Sequence, residues 1–299
     1  MKKGTMTLTA LLACVTLAGS ALAFGLGDAI GGAAKVWEKK DAVVKAGKAI
    51  RKGTQDLTPS EEHFIGRSVA ATILARYKRL NDPKRTDYVN RVGLYLTRFS
   101  DRPETFGGYH FLLLDAPNEV NAFAAPGGFI FVTSGLLAKV KSEEELAAVL
   151  AHEIAHVTLR HGLEAIKSSN LTSAFTIIGT EAVKEYSGSQ LASLTEAFSG
   201  SIDDIVNKMV MSGYSQSQEF DADAEAMAIA FRAGYDPAGL TGFLTSLRDA
   251  AKGAPDTGFF KTHPPAGERL TKATSVAKQK KLTGAAAPAR DKRFGGYKL

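Results

Sequence analysis

Ala151-His152-Glu153-Ile154-Ala155-His156 is the stretch on which the reading of this chain turns. The two histidines are four residues apart. On a helix that spacing sets both imidazoles on one face, where they can meet one ion, and Glu153 beside the first can reach a water on that ion. Val149, Leu150 and Ile154 make the segment apolar enough to be buried, and burying two imidazoles and a carboxylate without partners is expensive. Upstream, Ser142-Glu143-Glu144-Glu145 reads as a capping box. The pattern predicts a helix from Ser142 to about His161, stopped by Gly162.

A catalytic zinc uses three protein ligands and one open position. A third histidine at the spacing H-E-x-x-H-x-x-G-x-x-H is missing, because position 159 is Leu159 and position 162 is Gly162. The third ligand must then come from another helix. Glu219-Phe220-Asp221-Ala222-Asp223 supplies one, on a predicted helix from Gln216 to Ala233 that Ser215 caps and Gly234 ends. Glu219 is the expected ligand. Asp223, one turn on, is placed to accept the other ring N–H of a ligating histidine. Asp221 and Glu225 form a parallel stripe and compete for these roles; they are read as the solvated face.

Around these two helices the periodicity changes twice. Thr58-Pro59-Ser60-Glu61 is a strong helix start, with the helix expected to reach about Leu80, and a second helix is expected over Arg85 to Ser100. Tyr109–Leu114, Glu119–Ala124 and Phe129–Thr133 read as strands, with Pro126-Gly127-Gly128 as a turn. The sheet is expected to be small and mainly antiparallel. From Ser134 onward the chain reads as almost all helix, with a lid-like segment near 187–201, a helix after Pro237, and a loop at Thr262-His263-Pro264-Pro265 before a last helix. The class is therefore α+β, predominantly helical, with the sheet beside the histidine helix.

The 299 residues are 44% apolar and 23% charged, which excludes a wholly disordered or collagen-like chain. One cysteine excludes an intramolecular disulfide and a thiolate zinc cluster. Lys2, Lys3 and the apolar run Leu8–Ala23, ending Ala21-Leu22-Ala23, describe a cleavable export signal. The rival is a lipoprotein signal with the lipid on Cys14. The net charge of +6 is local: residues 272–299 hold eight Lys and Arg against Asp291 alone. A basic pI is thus no argument for nucleic-acid binding. The tail reads as a solvated end or one that touches membrane lipid or an acidic partner. The expected organisation is a signal over 1–23, a lead-in over 24–57, the main domain over 58–275 and a basic tail over 276–299.

Several separated motifs resemble, in order, the HtpX-like and CAAX prenyl protease type I family of gluzincin zinc metallopeptidases. They are His152 to His156 followed by Arg160-His161, Glu219 to Asp223, His263-Pro264 with Arg269 downstream, and Asn118 to Ala124 followed by Pro126-Gly127-Gly128. The chain is most similar to the small secreted LoiP-like or BepA-like branch, without the family's flanking membrane spans or a tetratricopeptide array. The resemblance implies a zincin-like domain and a metalloendopeptidase of the bacterial periplasm or envelope that acts on polypeptides. It implies one Zn2+ on His152, His156 and Glu219, and Glu153 as general base. It nominates His263 as oxyanion donor with Arg269 in support, or else as an occupant of the zinc's open position. Arg160 and His161 are expected to brace the zinc helix. An extended substrate could pair with strand Phe129–Thr133, which makes Asn121, Gly128, Phe129, Ile130 and Phe131 the expected substrate contacts; the same strand could be an ordinary core strand. The alternative function is a silent or self-inhibited chaperone-like binder of unfolded envelope proteins.

Overall fold

A computed structural model describes residues 57–168, 206–207, 213–250, 263, 266–284 and 287–297. The expected signal, Cys14, the lead-in up to residue 56 and the 187–201 segment lie outside the described residues. All the described residues belong to one compact unit, which begins at Lys52. Among them no helix is long and apolar enough to cross a membrane.

The described residues open with α1 (Pro59–Arg76) and α2 (Pro83–Thr97). Thr58 and Glu61 close the anticipated capping box on α1, and Asp82 caps α2 by accepting the Arg85 N–H. Helix α1 stops four residues short of Leu80. The residues past Arg76 are drawn into the sheet edge instead, where Leu80 N–H donates to Leu113 O at 2.9 Å and Asp115 N–H to Lys78 O at 2.8 Å.

Strands β1 (His110–Leu114), β2 (Ala122–Ala125) and β3 (Phe129–Thr133) follow in the spatial order β1-β3-β2. The sheet is mixed rather than mainly antiparallel: β1 runs parallel to β3, and β2 antiparallel to it. Both faces are covered. One lies on the main core with Phe111, Leu113, Ile130 and Val132, the other on a smaller core of α1 residues with Phe123, Phe129 and Phe131. A strand buried on both faces reads as a continuous apolar run, which is why Phe129-Ile130-Phe131-Val132-Thr133 shows no alternation. Because β3 is central, its hydrogen bonds are taken by both neighbours and no peptide can add to it. Asn121, Gly128, Phe129, Ile130 and Phe131 are buried, and the expected pairing of an extended peptide with β3 itself is excluded by its two neighbouring strands. Residues 119–121 precede β2 in a tighter arrangement, where the Thr133 hydroxyl donates to Glu119 O at 2.6 Å and accepts the Asn121 N–H at 3.0 Å.

The Pro126-Gly127-Gly128 turn is clamped from below. Buried Glu62 accepts two hydrogen bonds from Arg102 at 2.8 Å each and one from the Gly127 N–H at 3.0 Å. Helix α1 comes so close to this turn that a Cβ on Gly66 would lie 1.9 Å from the Pro126 carbonyl oxygen. Gly66→Ala should therefore cost about 1–3 kcal/mol of stability, the usual penalty of overpacking, in urea or thermal unfolding. A variant as stable as the parent would reject this contact.

After the short α3 (Ser134–Leu137), the histidine helix α4 spans Glu143–Thr158, capped by Ser142. Its capping box is only half made, because the Glu145 carboxylate accepts from the Lys141 N–H instead of from the cap. The helix ends before His161, and Gly162 is not its stop. Arg160 takes the left-handed conformation, with φ 59°, and α5 (His161–Ser168) starts immediately after it. Helices α6 (Gln216–Arg232), α7 (Ala238–Ala250) and α8 (Ala266–Lys280) complete the main core with α2 and α4.

Helix α8 runs through residue 275, and the described tail beyond it, exposed or half-buried along its length, also makes contacts with the helices before it. Residues Pro288–Tyr297 form α9. Arg293 pairs with buried Glu143, Arg290 donates to Glu144 at 2.6 Å, and the Tyr297 ring stacks on Tyr88 at 4.0 Å. Two of the tail's positive charges are thus spent on the N-terminus of α4, where acidic residues gather.

Candidate metal centre

Four side chains from three parts of the chain meet at the middle of the main core. Helix α4 gives His152 and His156, one turn apart, with Nε2 atoms 3.0 Å from each other. The first turn of α6 gives Glu219, where the positive end of the helix dipole favours a carboxylate. Its Oε2 is 3.4 Å from His152 Nε2 and its Oε1 3.4 Å from His156 Nε2. His263 joins them, with Nδ1 2.7 Å from Glu219 Oε2. All four are buried, and their donor atoms lie within 4.8 Å of one another. Ligands arranged tetrahedrally at zinc distances are about 3.3 Å apart, so the separations among His152, His156 and Glu219 match one shared ion.

The outer atoms of this group are held as well. His152 Nδ1 is 3.0 Å from Asp223 Oδ1, one turn along α6. Arg269 of α8 grips Asp223 through Nε at 2.8 Å and Nη2 at 2.6 Å, and its Nη1 lies 3.2 Å from Glu219 Oε2. Asp221 is exposed, and Glu225 accepts from Arg232 at 2.7 Å, so neither competitor enters the cluster. Glu153 is fully buried, and neither of its carboxylate oxygens has a hydrogen-bond partner among the described residues.

The charges also point to a cation. Glu153, Glu219 and Asp223 set three acidic groups against the buried guanidinium of Arg269. The excess of two negative charges is the complement of a divalent ion, and without one the protons redistribute. Burial and the Arg269 charge oppose protonation of His152, yet hydrogen bonds to Asp223 and Glu219 outweigh them and raise its pKa to about 9. Burial pulls His156 down to about 3. Burial alone would raise Glu219, but the charges of His263 and Arg269 hold it well below the usual carboxylate range. Burial likewise opposes ionisation of Asp223, and Arg269 nevertheless brings it down to about 2. Glu153 goes the other way: burial is the largest cause and its pKa is raised.

Tyr214 carries no chemical signal in the sequence, yet it belongs to the site. Standing just before the α6 cap, it stacks on the His156 ring at 4.1 Å and donates its hydroxyl to Ala124 O at 3.2 Å. It ties the histidine helix to strand β2. His161, the expected brace of that helix, places Nδ1 2.9 Å from His156 Nδ1. By contrast His63 and His110 pack with Phe129 beside the sheet, at 5.5 and 5.0 Å between ring centroids.

Comparison with known proteins agrees with this geometry. The profile of peptidase family M48 matches residues 83–277. The beta-barrel assembly-enhancing protease of Escherichia coli K12 is 31% identical over 205 residues, covering 67% of this chain and 40% of that protein. The mitochondrial metalloendopeptidase OMA1 of Schizosaccharomyces pombe is 31% identical over 189 residues, 62% of this chain and 51% of its own length. Metalloprotease LoiP of Escherichia coli K12 is 32% identical over 151 residues, 50% of this chain and 56% of its own. The chain thus spans about half the length of the curated relatives it matches. With both the histidine helix and the acidic helix inside the matched stretch, the chain belongs to peptidase family M48.

Proposed function

We propose that this chain is a zinc-dependent endopeptidase, exported to a bacterial cell envelope, that hydrolyses peptide bonds in polypeptides there. One observation carries the reading: two imidazoles and a carboxylate converge at 3.0–3.4 Å while a further acidic side chain, Glu153, is buried beside them with no partner among the described residues. His152, His156 and Glu219 hold the ion in this reading. When bound, zinc supplies a Lewis acid that acidifies a water and polarises the scissile carbonyl. Glu153 takes a proton from the attacking water on a carboxylate oxygen and returns it to the departing amine nitrogen. A raised pKa brings it nearer the range where one group can do both. Asp223 keeps the His152 proton on Nδ1, and Arg269 holds Asp223 in place. The apolar run that ends at Ala23 supports an exported protein, and the first relative's name, a beta-barrel assembly-enhancing protease, is in keeping with it.

A second reading concerns His263. As an oxyanion donor it would face the reacting carbonyl. Its hydrogen bond to Glu219 at 2.7 Å instead favours a resting state in which its ring sits among the metal-binding side chains and restrains the enzyme. Cleavage of casein or a model peptide, read alongside metal analysis, tests both. The parent should carry about one zinc per chain, and chelation should abolish cleavage. His156→Ala and Glu219→Ala should lose zinc and activity together; full retention of zinc rejects the ligand assignment. His263→Ala should lower kcat if His263 stabilises the oxyanion and raise it if the residue restrains the site.

A further inference from the structure

We infer that His161 is a positioning residue for His156: it accepts the Nδ1 proton of that ring and so reserves Nε2 for the metal. The inference rests on the assignment of His156 as a metal ligand. His156 has its Nε2 in the cluster, 3.0 Å from His152 Nε2, and its Nδ1 against His161 Nδ1 at 2.9 Å. A neutral imidazole carries one proton. For Nε2 to offer a lone pair to an ion, that proton must sit on Nδ1, and His161 is the group within hydrogen-bond reach of it there among the described residues. His161 must then present a bare Nδ1 and carry its own proton on Nε2. His161 lines an open cavity of about 1010 Å3 whose wall also includes the carboxylates Glu164 and Asp221, so that proton faces a polar space.

The backbone is bent to make this contact. In an uninterrupted helix, residue 161 would be rotated about 140° around the axis from residue 156 and would face away from it. The left-handed Arg160 breaks α4 and turns the chain back, so that the first residue of α5 meets the His156 ring. A non-glycine residue in that conformation is strained, and such strain gathers where surrounding structure requires it.

The choice of a neutral partner follows from the charge of the site. His152 is braced by a carboxylate, Asp223, whereas His156 is braced by an imidazole. Three acidic groups and one guanidinium already match a divalent ion. A second carboxylate behind His156 would leave one buried negative charge without a partner. Tyr214 stacked on the face of the ring fixes its plane, and His161 at the ring's edge fixes its proton.

The test compares His161→Leu, which cannot accept, with His161→Gln, whose amide oxygen can. The first readout is the 15N and 1H spectrum of the His156 ring in metal-free protein at pH 8. The parent and His161→Gln should show the proton on Nδ1, and His161→Leu a mixture of tautomers. The second is zinc affinity by chelator competition. His161→Leu should bind zinc about 10–100-fold more weakly, the usual cost of losing an outer partner of a ligating histidine, and His161→Gln within about threefold of the parent. A proton on Nε2 of His156 in the parent overturns the inference, as does equal zinc binding by the Leu and Gln variants when both melt like the parent. If the parent binds no zinc yet shows the Nδ1 proton and its loss in His161→Leu, the ligand reading fails while the positioning role of His161 stands.

Discussion

Glu153→Gln should lower peptide hydrolysis by about 10²–10⁴-fold, the share usually supplied by a general acid–base group, and leave the zinc content near one per chain. The substitution keeps the shape of the side chain and removes only its ability to take and return a proton. No described contact is broken, because neither Glu153 oxygen has a hydrogen-bond partner among the described residues and the residue is not among the four that could hold the ion. The fold should tolerate the change. A buried carboxylate without a partner is already costly, and a neutral amide of equal volume relieves part of that cost. Removing one of three buried negative charges also weakens the attraction for a divalent ion, so a modest loss of zinc affinity should accompany the loss of hydrolysis. The measurement is casein cleavage and metal content on the same preparation. Equal cleavage by variant and parent would remove Glu153 from the mechanism, while loss of zinc together with activity would move it into the ligand set.

The parts of this site that can be read from the sequence are those whose partners lie on one regular element. His152 with His156, and Glu219 with Asp223, are each four apart on a helix, and 3.6 residues per turn makes them face one way. Helix starts at Thr58 and Ser215 are legible for the same reason, since each cap and its reciprocal partner are three residues apart. What depends on a backbone change between elements is not legible. The stop at Arg160 carries no compositional signal, because the left-handed region is expected of Gly162 rather than of an arginine, and the ring-to-ring contact of His156 with His161 exists only because of that stop. Tyr214 reaches His156 from a different segment altogether. The parallel pairing of β1 with β3 is hidden by the burial of both sheet faces. With no polar alternation along Phe129–Thr133, neither the strand's place in the sheet nor its direction relative to β1 can be set from pattern. The docking of α9 is masked by composition: a run rich in Lys and Arg reads as solvated until Glu143 and Glu144 are found opposite it.

Arg269→Met should destabilise the metal-free protein by about 3–5 kcal/mol, the cost of stripping one partner from a buried ion pair. The guanidinium is 1% exposed, holds both oxygens of Asp223, and stands 3.2 Å from Glu219. Without it two carboxylates remain in a medium that solvates them poorly. The double variant Arg269→Met/Asp223→Asn should recover part of the loss, since deleting both charges of a buried pair is cheaper than deleting one, and the difference gives their coupling. Direction with pH provides an independent check. In the parent, Asp223 titrates near 2 rather than the ordinary 3.8, a depressed carboxyl whose stabilisation is complete above about pH 4 and is lost as pH falls toward 2. That shift alone corresponds to about 2 kcal/mol, and the remainder of the penalty comes from Glu219. The gap between parent and Arg269→Met should therefore be widest near neutrality and close as pH falls below 4. Zinc should narrow it as well, because a bound divalent ion takes over the neutralisation of Glu219, so the variant's melting temperature should rise more on zinc addition than the parent's does. A variant as stable as the parent at pH 7, with no added response to zinc, would mean that Asp223 and Glu219 are neutralised by some group other than Arg269.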